Sequence, residues 1–139
     1  MKIISPLASL LLLCAGCTSV STDHRHIADL AKVTHLYVEH RLNDNHALDE
    51  RIAQELQRLG YDASFGPLTM MPENAQAIVL YEDEWEFDFT THMVALDVKV
   101  HAVGNDESLC NGHYFNRGVS RVPPEKIVHD VIASMFKPI

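Results

Sequence analysis

Apart from its first few residues, this chain is short of cysteine, short of positive charge and without any long apolar run. The longest apolar stretch, Ile3 to Leu13, is far below the ~20 residues a membrane-spanning helix needs, so the chain has no candidate span. Eleven Lys and Arg stand against nineteen Asp and Glu, a formal charge of −8. That balance argues against nucleic acid and anionic lipid surfaces as partners, since both recruit basic patches. Of three cysteines, two lie at positions 14 and 17, leaving Cys110 alone in the body of the chain. A single thiol cannot make an intramolecular disulfide, and Cys110 reads as a small buried apolar residue or an intermolecular partner. No His-Glu-x-x-His, Cys-x-x-Cys, Gly-x-x-x-x-Gly-Lys loop or Rossmann glycine triplet occurs. Ser108, Ser120 and Cys110 carry no nucleophile-elbow motif around them. No catalytic residues, no metal centre in the folded part and no cofactor are expected.

What the N-terminus does have is an export pattern. Met1-Lys2 supplies a short positive start, Ile3 to Leu13 an apolar h-region, and Ala15-Gly16 the small residues a signal peptidase requires. The segment Leu13-Cys14-Ala15-Gly16-Cys17 resembles the lipobox of bacterial lipoproteins, departing from it only in Cys14, where Leu is commonest. The resemblance implies a diacylglyceryl thioether on Cys17 and an acylated N-terminus. Three acyl chains would make a stable anchor, since one alone binds membranes marginally. Thr18, where Asp would favour inner-membrane retention, implies an outer-membrane destination facing the periplasm. The expected organisation is a signal peptide over 1–16, the lipidated Cys and a tether over 17–28, and a periplasmic domain over 29–139. Cleavage after residue 16 leaves 123 residues, enough for one domain with its own core, and removes Lys2, taking the formal charge from −8 to −9.

Within the domain, Val33 to Glu39 is rich in β-formers and predicts a strand. Asn43-Asp44-Asn45 reads as a helix start. Leu48, Ile52, Leu56 and Leu59 then recur at helical spacing, and Gly60 supplies a left-handed stop. Tyr61 to Phe65 predicts a short strand, and Ala75 to Tyr81 a central one. Val94 to Ala102 alternates apolar and polar residues, a strand with one wet face. Gly104-Asn105-Asp106 turns it into a further strand, Ser108 to Asn116, and Pro123-Pro124-Glu125 opens a last helix to Phe136. The expected fold is α+β: a two-layer sandwich, β-α-β-β-β-β-α, with a mixed or antiparallel sheet and two helices on one face. This pattern is similar to a loose set of small proteobacterial outer-membrane lipoproteins that share a Leu-Gly-Tyr helix end, a hydrophobic strand, a Tyr-x-Asp-x-Trp-x-aromatic-Asp segment and a final helix. Here these are Leu59-Gly60-Tyr61, Ile78 to Leu80, Tyr81 to Asp88, and Pro124 to Phe136. No activity comes with the resemblance.

Two features could bind something. In Tyr81 to Phe89, an extended chain would put Tyr81, Asp83, Trp85, Phe87 and Phe89 on one face and Glu82, Glu84, Glu86 and Asp88 on the other. Five acids crowded on a central strand would repel, so the segment is expected at a sheet edge or in a connection, with Trp85 turned into the core. Should Trp85 turn outward, Trp85, Phe87 and Asp88 would be a partner-binding surface. The acids lack the spacing and glycine of an EF-hand. The nine histidines are the other feature. His24 and His26, beside Asp23, form the only tight pair and are the weak metal candidates. The expected role is therefore a non-catalytic module on the outer membrane, bound to the bilayer through Cys17 and to a periplasmic or envelope protein through its domain. A metal- or acid-responsive envelope protein using its histidines is the alternative.

Overall fold

The computed structural model describes residues 18–116, 118 and 121–139. The segment 1–16 expected to be a signal peptide, Cys17 and Ser120 lie outside the described residues. Among those described, six strands form one mixed sheet in the order β1-β6-β5-β4-β2-β3. The strands are β1 (Thr18–His24), β2 (His35–Glu39), β3 (Asp62–Gly66), β4 (Ala77–Asp88), β5 (Thr90–Ala102) and β6 (Ser108–Asn116). Two main helices, α2 (Leu48–Arg58) and α3 (Pro124–Met135), pack on the sheet, and a single turn α1 (Ile27–Leu30) follows β1. β2 runs parallel to β3 and β4, while β4-β5, β5-β6 and β6-β1 are antiparallel. The α+β sandwich expected from the sequence is the fold observed.

Local sequence accounts for the helices. α2 buries Leu48, Ile52, Ala53 and Leu56, with acids in its first turn and Arg58 in its last, as the helix dipole favours. It stops at Gly60, whose φ of 100° is open to glycine at little cost. α3 starts on proline and buries Ile127, Val128, Val131, Ile132 and Met135. Both stripes join one core with Leu36, Val38, Val79, Leu96, Val98 and Val100 of the central strands.

Three elements differ from the sequence reading. Residues 18–24, expected in the tether, form β1, which pairs along its whole length with β6, Thr18 opposite Asn116 and His24 opposite Cys110. β1 holds one large apolar residue, Val20; what places it is the main-chain ladder and the contact of Thr22 with Ser134 of α3 at 2.7 Å, neither visible as hydrophobic periodicity. β4 does not stop at Tyr81 but runs to Asp88, and β5 starts at Thr90 rather than Val94. The acid-rich segment is thus a strand. Its β2-facing edge nevertheless lies free of strand pairing past Val79, which is how five acids are accommodated.

Candidate functional site

The site is the β4-β5 hairpin and the loop 40–47 that joins β2 to α2. β2 pairs with β4 only from Ala77 to Val79, and β6 pairs with β5 no further than Ala95. Beyond those points β4 and β5 continue as a two-stranded ribbon, with a register shift between Glu84 and Trp85. The loop 40–47 packs against the base of this ribbon, on the edge β2 leaves uncovered.

Asp44 organises the loop. Its carboxylate accepts the backbone N–H groups of His46 and Leu48, both at 2.8 Å, and the Tyr81 hydroxyl at 2.7 Å. These bonds hold Ala47 in a left-handed conformation at φ 53° and satisfy donors at the start of α2. Burial alone would raise the Asp44 pKa. The hydrogen bonds from Tyr81 and from the backbone of His46, Leu48 and Asp49 outweigh it and hold the carboxyl below its ordinary value. Burial, and then the Asp44 acceptor, push the Tyr81 phenol far up, so it stays a donor. Arg41 reaches Asp83 at 3.2 Å, and the other Asp83 oxygen accepts the Trp85 indole N–H at 2.6 Å. The His46 ring stacks on Trp85 with centroids 3.7 Å apart and planes 16° from parallel.

His40, Asp44 and Asp49 bring one ligand atom each within 4.8 Å of one another, a donor set of one imidazole and two carboxylates. Those atoms already serve the fold. Asp49, 5% exposed, faces His40 Nδ1 at 2.9 Å, and Asp44 is occupied by the cap and by Tyr81. The geometry accounts for the cluster as a lock between loop, helix and hairpin.

The aromatic stripe leaves the core by degrees along β4. Tyr81 is buried, Trp85 is half-buried against the core, and Phe87 and Phe89 are 78% and 96% exposed. Asp88 pairs with Arg121 at 2.9 Å, while Glu82, Glu84 and Glu86 are exposed. Trp85 is therefore neither a core residue nor a free anchor. Its inner face meets the core, its ring stacks on His46 of the loop, and its N–H is held by Asp83 of its own strand. Sequence reasoning missed that loop. Asn43-Asp44-Asn45 was legible as a helix start, but nothing in the spacing links it to Tyr81, Asp83 or Trp85.

The remaining sequence candidates are scattered. His24 Nε2 lies 2.9 Å from the Met135 carbonyl, and His26 Nε2 lies 2.6 Å from Glu107, so the pair engages different parts of the fold. His26, His35, His40, His113 and His129 each face a carboxylate, of Glu107, Asp62, Asp49, Asp97 and Glu55 respectively. Cys110 is fully buried, and burial, with Asp23 nearby, pushes its thiol up to about 12. The helix-free face of the sheet carries an open groove of about 650 Å³ between β1, β6, β5 and β4, edged by Asp23, Glu82, Asp97, Lys99 and His113.

No protein-family model matches the sequence, and no curated protein matches it. Two solved structures of the PelC dodecamer from Paraburkholderia phytofirmans share the fold. One, a single-substitution variant, superposes with a TM-score of 0.59 at 15% identity, over 87% of this chain and 95% of that one. The other gives 0.58 at 15% identity, over 87% and 96%. At this identity the likeness is one of fold.

Proposed function

We propose that this chain is an outer-membrane lipoprotein, anchored through Cys17 and facing the periplasm, whose domain works as a non-catalytic binding or assembly module built from several copies of itself. The observation that carries the reading is the shared fold. It spans nearly the whole of both chains, and the PelC neighbour is a dodecamer. The sequence supports the anchor, since the lipobox-like Leu13 to Cys17 ends one residue before β1. The non-catalytic reading rests on the absence of catalytic motifs from the sequence and on Cys110, the one thiol in the body of the chain, which is buried and protonated. The partner in this reading is a periplasmic or envelope protein, and the hairpin that carries Trp85, Phe87 and Asp88 exposes the rings of Phe87 and Phe89.

Native mass spectrometry of the full lipidated chain in detergent tests the assembly. A discrete oligomer is expected, and a monomer at all concentrations would overturn it. Cys17→Ser tests the anchor: it is expected to leave unprocessed precursor, and normal processing with membrane retention would overturn the assignment. A second reading, an acid-responsive envelope protein, is favoured by the five histidine–carboxylate contacts.

A further inference from the structure

The chain enters the sheet at the end from which the hairpin projects. Thr18, the first residue of β1, pairs with Asn116, and the adjacent Phe115 pairs with Ala95 of β5. From the level of Val94 the hairpin runs on to Phe89, five residues at ~3.3 Å each, an overhang of about 17 Å past the point where the chain leaves Cys17. Half the difference between a bilayer's full thickness and its hydrocarbon core is only about 5–8 Å. The overhang is long enough to cross that layer.

The tip has the composition for it. Phe87 and Phe89 are 78% and 96% exposed, and Leu42, in the loop beside the hairpin base, is fully exposed. Phe89 sits at the apex with φ 59°, a left-handed position. Local preference would place glycine or asparagine there, and a bulky side chain at such an angle is an outlier. The sequence instead holds an exposed aromatic ring at the outermost point. Asp88, the acid nearest the apex, is paired with Arg121. Glu82, Glu84 and Glu86 alternate with the aromatic stripe along β4 and lie on its other face. The ribbon's edges carry unpaired main-chain groups, which confines insertion to the interface, about 5–10 Å deep, because such groups are costly in hydrocarbon.

We infer that the tip of the β4-β5 hairpin, through Phe87 and Phe89, inserts into the interfacial region of the same bilayer that holds the lipid on Cys17, forming a second membrane contact that fixes the orientation of the sheet. The inference rests on the proposed anchor at Cys17. The surface it meets is zwitterionic, since the chain cleaved after residue 16 has a formal charge of −9 and is repelled by anionic headgroups.

The test uses the full lipidated chain in phosphatidylcholine–phosphatidylethanolamine vesicles. Cys17 is alkylated under the anchor reading and Cys110 is buried, so Phe89→Cys provides the one accessible thiol for an environment-sensitive fluorophore. Val103→Cys, just past the opposite end of β5, serves as the control, and Phe87→Cys as a second reporter. The labels at 89 and 87 are expected to shift to the blue in vesicles and to be quenched several-fold by brominated acyl chains, while the label at 103 stays aqueous. Protein that floats with vesicles but keeps an aqueous label at 89 overturns the insertion and leaves the anchor standing. Protein that does not float overturns the anchor, and the insertion with it. A label at 89 that is blue-shifted yet insensitive to brominated lipid marks contact with a second copy or another protein, and also overturns the insertion.

Discussion

Replacing Trp85 with alanine removes a side chain held in three different ways. A fully buried aromatic costs about 3–5 kcal/mol on truncation to alanine. Trp85 is only half-buried, so roughly half of that range, ~1.5–2.5 kcal/mol, is its packing share. The stack on His46 adds on the order of 0.5–1 kcal/mol. The indole hydrogen bond to Asp83 adds little, because the Asp83 carboxylate keeps its ion pair with Arg41. The expected loss is therefore about 2–3.5 kcal/mol, which for a domain of this size lowers the unfolding temperature by roughly 8–14 °C. Far-UV circular dichroism in urea is the suitable assay, since the variant has lost the only tryptophan. The midpoint should fall with the m-value unchanged. Trp85→Phe should recover more than half of the loss, because it restores the packed ring but not the N–H. A loss below ~1 kcal/mol for alanine would refute the packing of loop 40–47 on the hairpin, since exposed aromatic residues are lost at about that level.

Asp44→Ala leaves the Tyr81 hydroxyl and two backbone donors without their acceptor and is expected to cost about 2–3 kcal/mol at pH 7. Because the folded-state pKa of Asp44 is depressed, its contribution is present above the ordinary carboxylate value of ~3.9 and is lost as pH falls through the folded value; stability of the variant should therefore fall less steeply than wild type in acid below about pH 4, and parallel curves would refute the assignment. Gly112→Ala in β6 would drive a Cβ into Met135 Sδ and to 2.9 Å from Val131 Cγ1, an overpacking expected to cost ~1–3 kcal/mol in the same urea assay; a neutral result would mean that α3 is free to shift. Tyr114→Phe should be neutral or stabilising by up to ~1 kcal/mol, as its buried hydroxyl has no partner among the described residues, and a loss above that would reveal one. Protonation of all nine histidines would bring the formal charge of the chain cleaved after residue 16 from −9 to zero, so self-association should rise as the pH is lowered; flat light scattering from pH 7.5 to 5 would count against it.

The layered fold was legible in the sequence wherever burial imposes a period. The stripe Leu48, Ile52, Leu56 and the alternation Val94 to Ala102 each give one buried face, and each became an element with the expected partner layer. β1 was not legible. An edge strand needs a main-chain ladder and little side-chain burial, so Thr-Ser-Val-Ser-Thr-Asp-His reads as a polar linker until β6 is beside it. The length of β4 was hidden for a related reason. Its acids argue against a central strand, and the sequence does not reveal that β2 ends early and leaves them an open side. At the site, the alternation from Tyr81 to Phe89 was readable residue by residue, but the point where it leaves the core was not, because that depends on where β6 and β2 stop. The partnership of Asp44, Tyr81, Asp83 and Trp85 crosses about forty residues of chain and has no local signature.

Under the proposed anchor, Cys17 would adjoin β1 with no tether between them, and that has a mechanical side. A lipid on Cys17 would pull on the domain through Thr18, at the end of a seven-residue strand paired along its full length with β6. Tension directed along that strand loads the rungs of the ladder together, in shear, rather than peeling them one after another. A flexible leader would let the domain swivel and dissipate the load. Here a tug at the bilayer would travel straight into the sheet, and through Thr22 and Ser134 into α3, so that the whole domain would respond as a stiff bracket.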